Sequence, residues 1–366
     1  MNEKEKILYN DILKLLPTNP KIQKVTKENE DSLRKITDKS LDLVWIEAGK
    51  SYPIISAIIN EWKNKIKPRG AIGGNDFDAV STKTAIKDIF TKEVACNNNV
   101  WYYRQKAPVY DCFLFFNEVE LLDLRLHELY NTVTKFIVVE STKTFMGVDK
   151  PLNFEKYKKR FEKWAPKIEY KVIDEFPSHY FVWDLERYQR NYIDKVLYKM
   201  CNSDDTVILS DADEIASRQA ILTYIGDGPY KLGCKLYYYY LNGFINKECS
   251  LSSIFSYKDL YSDVIDDYIR FPDSPSMPNA GWHFSYLGGP EKISYKLKSF
   301  SHTECNTPEI NNETHIKNCM ETGDNLFGRD TENITYIPID NTFPEHIQKN
   351  QNYFKTMGFI KDVNTN

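Results

Sequence analysis

Two hydrophobic periods alternate along this chain, and each change of period marks a change of element. Apolar runs of a few residues bounded by turn residues predict buried strands. An apolar repeat of 3.6 residues predicts helices packed by one face. In the first hundred residues, 7–16 and 32–36 read as helices, and 21–25 and 41–46 (LDLVWI) as strands. Residues 52–65 read as a helix with Ile54, Ile58 and Trp62 on its apolar face. Residues 67–74 read as a turn leading into a strand, and 100–103 as a further strand that stops short of Pro108. Parallel pairing is expected, because strands and helices take turns.

The same alternation restarts after Pro108. Residues 109–116 form an apolar strand. A helix at 118–130 follows, with Val119, Leu122, Leu126 and Leu129 as its buried stripe. Strands at 135–140, 168–173 and 206–209 alternate with helices at 153–164 and 184–201. Beyond 225 the pattern turns to strands and loops, with 231–241 a long aromatic strand. The expected architecture is α/β, with a boundary near Lys106–Pro108 dividing the chain into segments 1–106 and 107–366. The second segment should hold an open, mostly parallel sheet flanked by helices, and such sheets bind ligands at the carboxyl ends of their strands.

Composition narrows the partners. A net charge of −4 over 366 residues does not suit a nucleic-acid partner. No stretch approaches the roughly 20 apolar residues of a membrane span, and residues 1–16 have no apolar signal core. The 7 cysteines are dispersed without a CxxC pair, which reads as reduced thiols; a cytoplasmic protein is expected, or a lumenal one delivered by another route.

Chemistry concentrates at strand ends: Phe116-Asn117-Glu118, Glu140-Ser141, and the run TVILSDADEI at 206–215. The last delivers Asp211, Asp213 and Glu214 to one point. Positions i and i+2 of a strand share a face, so Asp211 and Asp213 could present oxygens to one hard divalent cation. The alternative is a solvated acidic turn with Asp213 or Glu214 capping a helix at 216–223. Arg187, Arg190 and Asn191 fall at helical spacing on one face, which could hold a phosphate, pair with the carboxylate cluster or simply be solvated. His283, among aromatics in GWHFSYLGG, is either a packed core histidine or a late metal ligand. Lys292, Lys296 and Lys298 follow it.

Several stretches in order resemble glycosyltransferase family 17: YDCFLFFNE (110–118) with LLDLRLHELY (121–130), FIVVESTKT (136–144), ERYQRN (186–191), LSDADEI (209–215), AGWHFS (280–285) and ETGDNLFG (321–328). The resemblance covers roughly residues 109–355. It implies a GT-A type nucleotide-sugar transferase domain, a UDP-sugar donor (UDP-GlcNAc in characterised relatives) and a glycan or other hydroxyl acceptor. It also implies Mn²⁺ or Mg²⁺ on Asp211, Asp213 and His283. Phe116, Asn117, Glu140, Arg187, Arg190, Asn191, Asp211 and Lys296 should then border the donor. Inverting transfer requires a carboxylate base, for which Glu304 and Glu214 are the candidates. A binding protein that keeps the site without turnover is the competing reading.

The first segment resembles the C-terminal half of class I SAM-dependent methyltransferases, through LDLVWIE (41–47) and IKPRGAIGGNDF (66–77). No Gly-rich loop for SAM precedes it, and Glu47-Ala-Gly-Lys50 replaces the usual acidic-His pair. It is expected to be a truncated Rossmann-like scaffold or acceptor-docking module without methyl transfer. Packing on the second segment or on another copy, as a homo-oligomer, would cover its small sheet.

Overall fold

The computed structural model describes residues 9–10, 12–13, 16, 19–26, 35–47, 51–90, 94–97, 99–177, 182–260, 271, 273–329 and 332–363. The helices read at 7–16 and 32–36, and the stretch 47–50, lie wholly or partly outside them. Two compact units emerge. One is the chain through Pro108 with Ile225–Asp227, and the other is Val109–Tyr224 with the chain from Gly228 on.

In the first unit, β1 (Ile22–Val25), β2 (Leu41–Ile46), β3 (Ile66–Gly74), β4 (Ala95–Asn97) and β5 (Val100–Arg104) form a sheet of order β1-β2-β3-β5-β4. Only β1, β2 and β3 run parallel, while β5 is antiparallel to both β3 and β4. Two residues join β4 to β5, and so short a connection can only reverse the chain. Strand β3 already starts at Ile66, where a turn is expected from Pro68 and Gly70. Its pairing with β2 slips by a bulge there, which absorbs the irregular sequence. Helix α1 (Tyr52–Trp62) buries Ile55, Ile58, Ile59 and Trp62, at the i, i+3, i+4, i+7 spacing. Ile54, assigned to that face from sequence, is 51% exposed. Helix α2 (Val80–Phe90) adds Ala85, Ile86 and Phe90 to the same core.

The second unit is built on β6 (Val109–Phe115), β7 (Lys135–Ser141), β8 (Ile168–Ile173) and β9 (Thr206–Asp211), all parallel in the order β9-β6-β7-β8. They are linked through α3 (Val119–Leu129), α4 (Asn153–Tyr157) extended by 3-10 turns to Lys167, and α5 (Val182–Leu197). The expected stripe of α3 is buried, and so are Leu121, Leu124 and Arg125.

The remaining strands are β10 (Glu214–Ala216), β11 (Tyr230–Tyr238), β12 (Gly243–Cys249), β13 (Ser253–Ser256), β14 (Ser276–Ser285) and β15 (Thr335–Tyr336). This half corrects the mostly parallel expectation. β13 runs antiparallel to β9 and β11, β12 antiparallel to β11 and β15, and β10 antiparallel to β14. Only β11 and β14 are parallel. Turns rather than crossover helices connect β11 to β12 and β12 to β13, so antiparallel pairing follows. No helix among the described residues is long and apolar enough to cross a membrane. The shared direction of β6, β7 and β9 has the functional consequence: their polar carboxyl ends lie along one edge of the sheet.

Candidate active site

A cleft of about 460 Å³ opens at that edge, lined by Phe116, Arg190, Asp211, Asp213, His283, Lys296 and Glu304, among others. Strand β9 ends at Asp211, and Ala212-Asp213 turn the chain straight into β10. The two aspartates thus come from a strand end and a tight turn, not from one strand face. β10 pairs with β14 so that Glu214 lies opposite His283. The acidic-turn alternative fails, because the helix α6 (Arg218–Thr223) is capped by Ser217, whose Oγ accepts from the Ala220 N–H at 3.1 Å.

Beneath the turn sits Arg125. Its guanidinium donates to both oxygens of Asp111, to Ser210 Oγ, and to the carbonyls of Asp211 and Glu214 at 2.9 Å each. Arg125 and Asp111 are both 0% exposed. A buried arginine here ties the carbonyls on both sides of the turn together with charge-assisted hydrogen bonds.

Each cleft aspartate has its own cation. Arg190 reaches Asp211 Oδ1 at 2.8 Å and Glu186 at 3.0 Å. Lys296, from helix α7 (Gly289–Ser299), donates to Asp213 Oδ2 at 2.7 Å. Burial works to raise the Asp213 carboxyl, but Lys296 and His283 outweigh it and hold it well below the usual carboxylate range. Burial would lower the Lys296 ammonium, and Asp213 raises it instead. The His283 ring stands between two carboxylates, with Nε2 3.7 Å from Asp213 Oδ1 and Nδ1 3.7 Å from Glu214 Oε1. Burial alone would lower this imidazole, and Asp213 and Glu214 raise it well above its ordinary value.

The other residues singled out from sequence divide. Phe116 lines the cleft and stacks on Tyr295 with ring centroids 5.2 Å apart. Asn117 borders a smaller side pocket and donates its N–H to Glu118. Glu140 is fully buried and accepts from Lys150 Nζ, the Tyr170 hydroxyl and the N–H groups of Asn153 and Phe154. It anchors the start of α4 and is not among the residues lining the cleft. On α5 the lining face is Glu186, Gln189 and Arg190. Arg187 is exposed, 4.0 Å from Asp184, and Asn191 lies off the cleft with its Oδ1 buried and unpartnered.

Glu214 sits behind the aspartates and accepts from Ser252 Oγ at 2.5 Å. Burial pushes its carboxyl up. Glu304 stands at the rim, 67% exposed, bonded to His302 Nδ1 at 2.7 Å, which lowers its carboxyl. Asp213 and His283 are brought together, but Asp211 does not join them within metal-ligating reach. The clusters that gather within 4.8 Å among the described residues are Glu214/Cys249/His283 and Asp123/His127/His346. Sequence reading missed Arg125, Asp111 and Cys249. The signal for Arg125 was present: a charge between Leu124 and Leu126 in the apolar stripe of α3.

Glycosyltransferase family 17 matches residues 75–356, and the chain belongs to that family. The match starts inside the first unit. Among individual proteins, the chain is similar to the β-1,4-mannosyl-glycoprotein 4-β-N-acetylglucosaminyltransferase of Rattus norvegicus and Mus musculus, 26% identical over 283 residues in each case. The same enzyme of Homo sapiens is 27% identical over 282 residues. These alignments cover 65% of this chain and 52% of each relative, so the chain spans about half the length of the curated relatives it matches.

Proposed function

We propose that the chain transfers N-acetylglucosamine from UDP-GlcNAc to a hydroxyl of a glycan or glycoconjugate, with inversion, on a GT-A type domain. The observation that supports this reading best is the cleft itself. In a family 17 chain, two aspartates at the end of β9 face it beside the cations Arg190 and Lys296. The two cations are the groups that would pair with the donor's diphosphate oxygens. Phe116 supplies an aromatic wall for the nucleotide.

A divalent cation, Mn²⁺ or Mg²⁺, belongs to the proposal. Asp213 Oδ1 and His283 Nε2, 3.7 Å apart at the cleft, offer a hard oxygen and an imidazole to one ion, a donor pair that suits Mn²⁺. When bound, such an ion neutralises charge on a departing diphosphate. Of the two candidate bases, Glu304 lines the cleft, while Glu214 is committed to Ser252 and the Asp211 N–H. We therefore assign Glu304 to deprotonate the acceptor hydroxyl.

The first unit, in this reading, is a methyltransferase-like remnant that docks acceptor or a second copy without binding SAM. A thermal-shift series with SAM should be flat.

The testing experiment is thermal stabilisation across a panel of nucleotide sugars with and without Mn²⁺, in wild type and Asp213→Ala. A ligand that binds only the native state raises its apparent stability. UDP-GlcNAc should stabilise the wild type only with Mn²⁺ and leave the variant unmoved. A flat panel would sink the reading. Stabilisation without donor hydrolysis or transfer would favour a binding protein on the same fold.

A further inference from the structure

Asp213 faces one nitrogen of the His283 ring, and a different set of donors faces the other. His283 Nδ1 is buried with no hydrogen bond of ordinary length, and the groups facing this buried ring besides Asp213 are the Cys249 thiol and the Glu214 carboxylate. Such a nitrogen calls for an explanation, because buried polar atoms are nearly always satisfied. The Cys249 sulfur, a Glu214 oxygen and a His283 ring nitrogen lie within 4.8 Å of one another. Nδ1 and Glu214 Oε1 are 3.7 Å apart. Two ligands at roughly 2.0–2.1 Å from one tetrahedral zinc stand about 3.3 Å apart, so closing the site needs only a small shift.

We propose that Cys249, His283 and Glu214 form a binding site for a thiophilic divalent cation such as Zn²⁺, separate from the hard-cation position at Asp213. The donor set is one sulfur, one imidazole nitrogen and one carboxylate oxygen. Thiolate ligation selects Zn²⁺ over Mg²⁺ or Mn²⁺. The supporting shell is already in place. Ser252 Oγ donates to Glu214 Oε2 at 2.5 Å, and the Asp211 N–H approaches the same oxygen at 3.3 Å, leaving Oε1 to face His283. Outer partners of this kind fix a ligand's orientation. Cys249 and His283 also line the cleft, which gives an ion its way in and leaves a fourth position open to water.

The ligands come from three strands: the end of β12, the start of β10 and, two residues from its end, β14. Binding replaces protons, because the thiol must ionise and the ring must give up its Nδ1 proton; a ring that serves this ion and the hard cation at Asp213 together does so as a bridging imidazolate. The ion would fix His283 through Nδ1 and so set where Nε2 meets Asp213. Cys234, opposite Cys249 in the β11–β12 register, is fully buried, and its thiol is held protonated by burial.

The test uses the whole 366-residue chain, reduced and stripped of metal with a chelator, then titrated with Co²⁺ and back-titrated with Zn²⁺. One equivalent of Co²⁺ should give a thiolate charge-transfer band in the near ultraviolet and the strong visible bands of a tetrahedral ion. Zn²⁺ should erase both. The thiolate band should vanish in Cys249→Ser and Cys249→Ala and persist in Asp213→Asn, with each variant's thermal melt showing that it folds. Absence of a thiolate band in wild type overturns the proposal. So does a band that survives both Cys249 variants. Loss of the band in a folded Asp213→Asn protein overturns the separation of the two sites. Asp123, His127 and His346 contain no sulfur and cannot give this signature. The proposal does not rest on the donor reading, which fails separately through the Mn²⁺-dependent nucleotide-sugar shift.

Discussion

Arg125 and Asp111 form a fully buried ion pair whose guanidinium also holds the carbonyls on either side of the Asp211–Glu214 turn. Breaking a buried pair from one side strands a charge, at about 3–5 kcal/mol. Arg125→Met should destabilise the second unit by that order, read by urea unfolding. The double variant Arg125→Met, Asp111→Leu should recover part of the stability but not donor binding, because the turn still lacks its donors. Full recovery of nucleotide-sugar stabilisation in the double variant would show that the turn holds its shape without Arg125.

Lys296 and Asp213 make the second test. Lys296→Met removes the ammonium that keeps Asp213 ionised under burial, a charge-assisted bond contributing about 2 kcal/mol. The thermal midpoint should fall. Adding Asp213→Asn should restore part of the loss, since it removes the stranded charge. Both proteins should fail to respond to UDP-GlcNAc with Mn²⁺. An unaltered response in Lys296→Met would remove Lys296 from the donor site.

Gly281 is required by a close approach. A Cβ there would stand 2.2 Å from the Ile215 carbonyl oxygen, across the β10–β14 pair. Gly281→Ala should cost about 1–3 kcal/mol, as overpacking does. It should also weaken donor binding, because Glu214 and His283 sit on the two strands it forces apart. Unfolding curves and nucleotide-sugar thermal shifts measure the two effects.

His346, which is not among the residues lining the cleft, gives a pH test. It stacks on His127 at 3.6 Å between ring centroids, with Asp123, Lys163 and Arg160 nearby. Burial first, and then His127, push its imidazole down to about 4. The unfolded chain takes up that proton near pH 6.5. Between about pH 6.5 and 4 the unfolded state therefore binds more protons, so stability is lost as pH falls through that window. His346→Phe keeps a stacked ring without the titration. Its thermal midpoint should fall less than that of the wild type between pH 7 and pH 5. Equal falls would show that His346 is not buried neutral.

Glu304→Gln separates binding from chemistry. The side chain is exposed at the rim, so stability should be unchanged and the donor thermal shift retained. Transfer to any acceptor found by screening should drop by two orders of magnitude or more, within the range general bases contribute. Retained transfer would move the base elsewhere in the cleft.

The sequence by itself determined the βα alternation of the second unit, the buried stripe of α3 and the delivery of carboxylates to the end of β9. These follow from periodicity, which a chain carries locally: side chains three or four apart share a helix face wherever the helix lies. The tertiary structure decided what each charge does. Glu140, read as a donor contact, is consumed by four hydrogen bonds around α4, and Arg187 and Asn191 turn away while Arg190 faces in. Lys296 meets Asp213 across 83 positions, and Arg125 meets the Asp211 carbonyl across 86. A buried charge takes whichever opposite charge or carbonyl the packed strands bring beside it, and no local pattern records which residue that is.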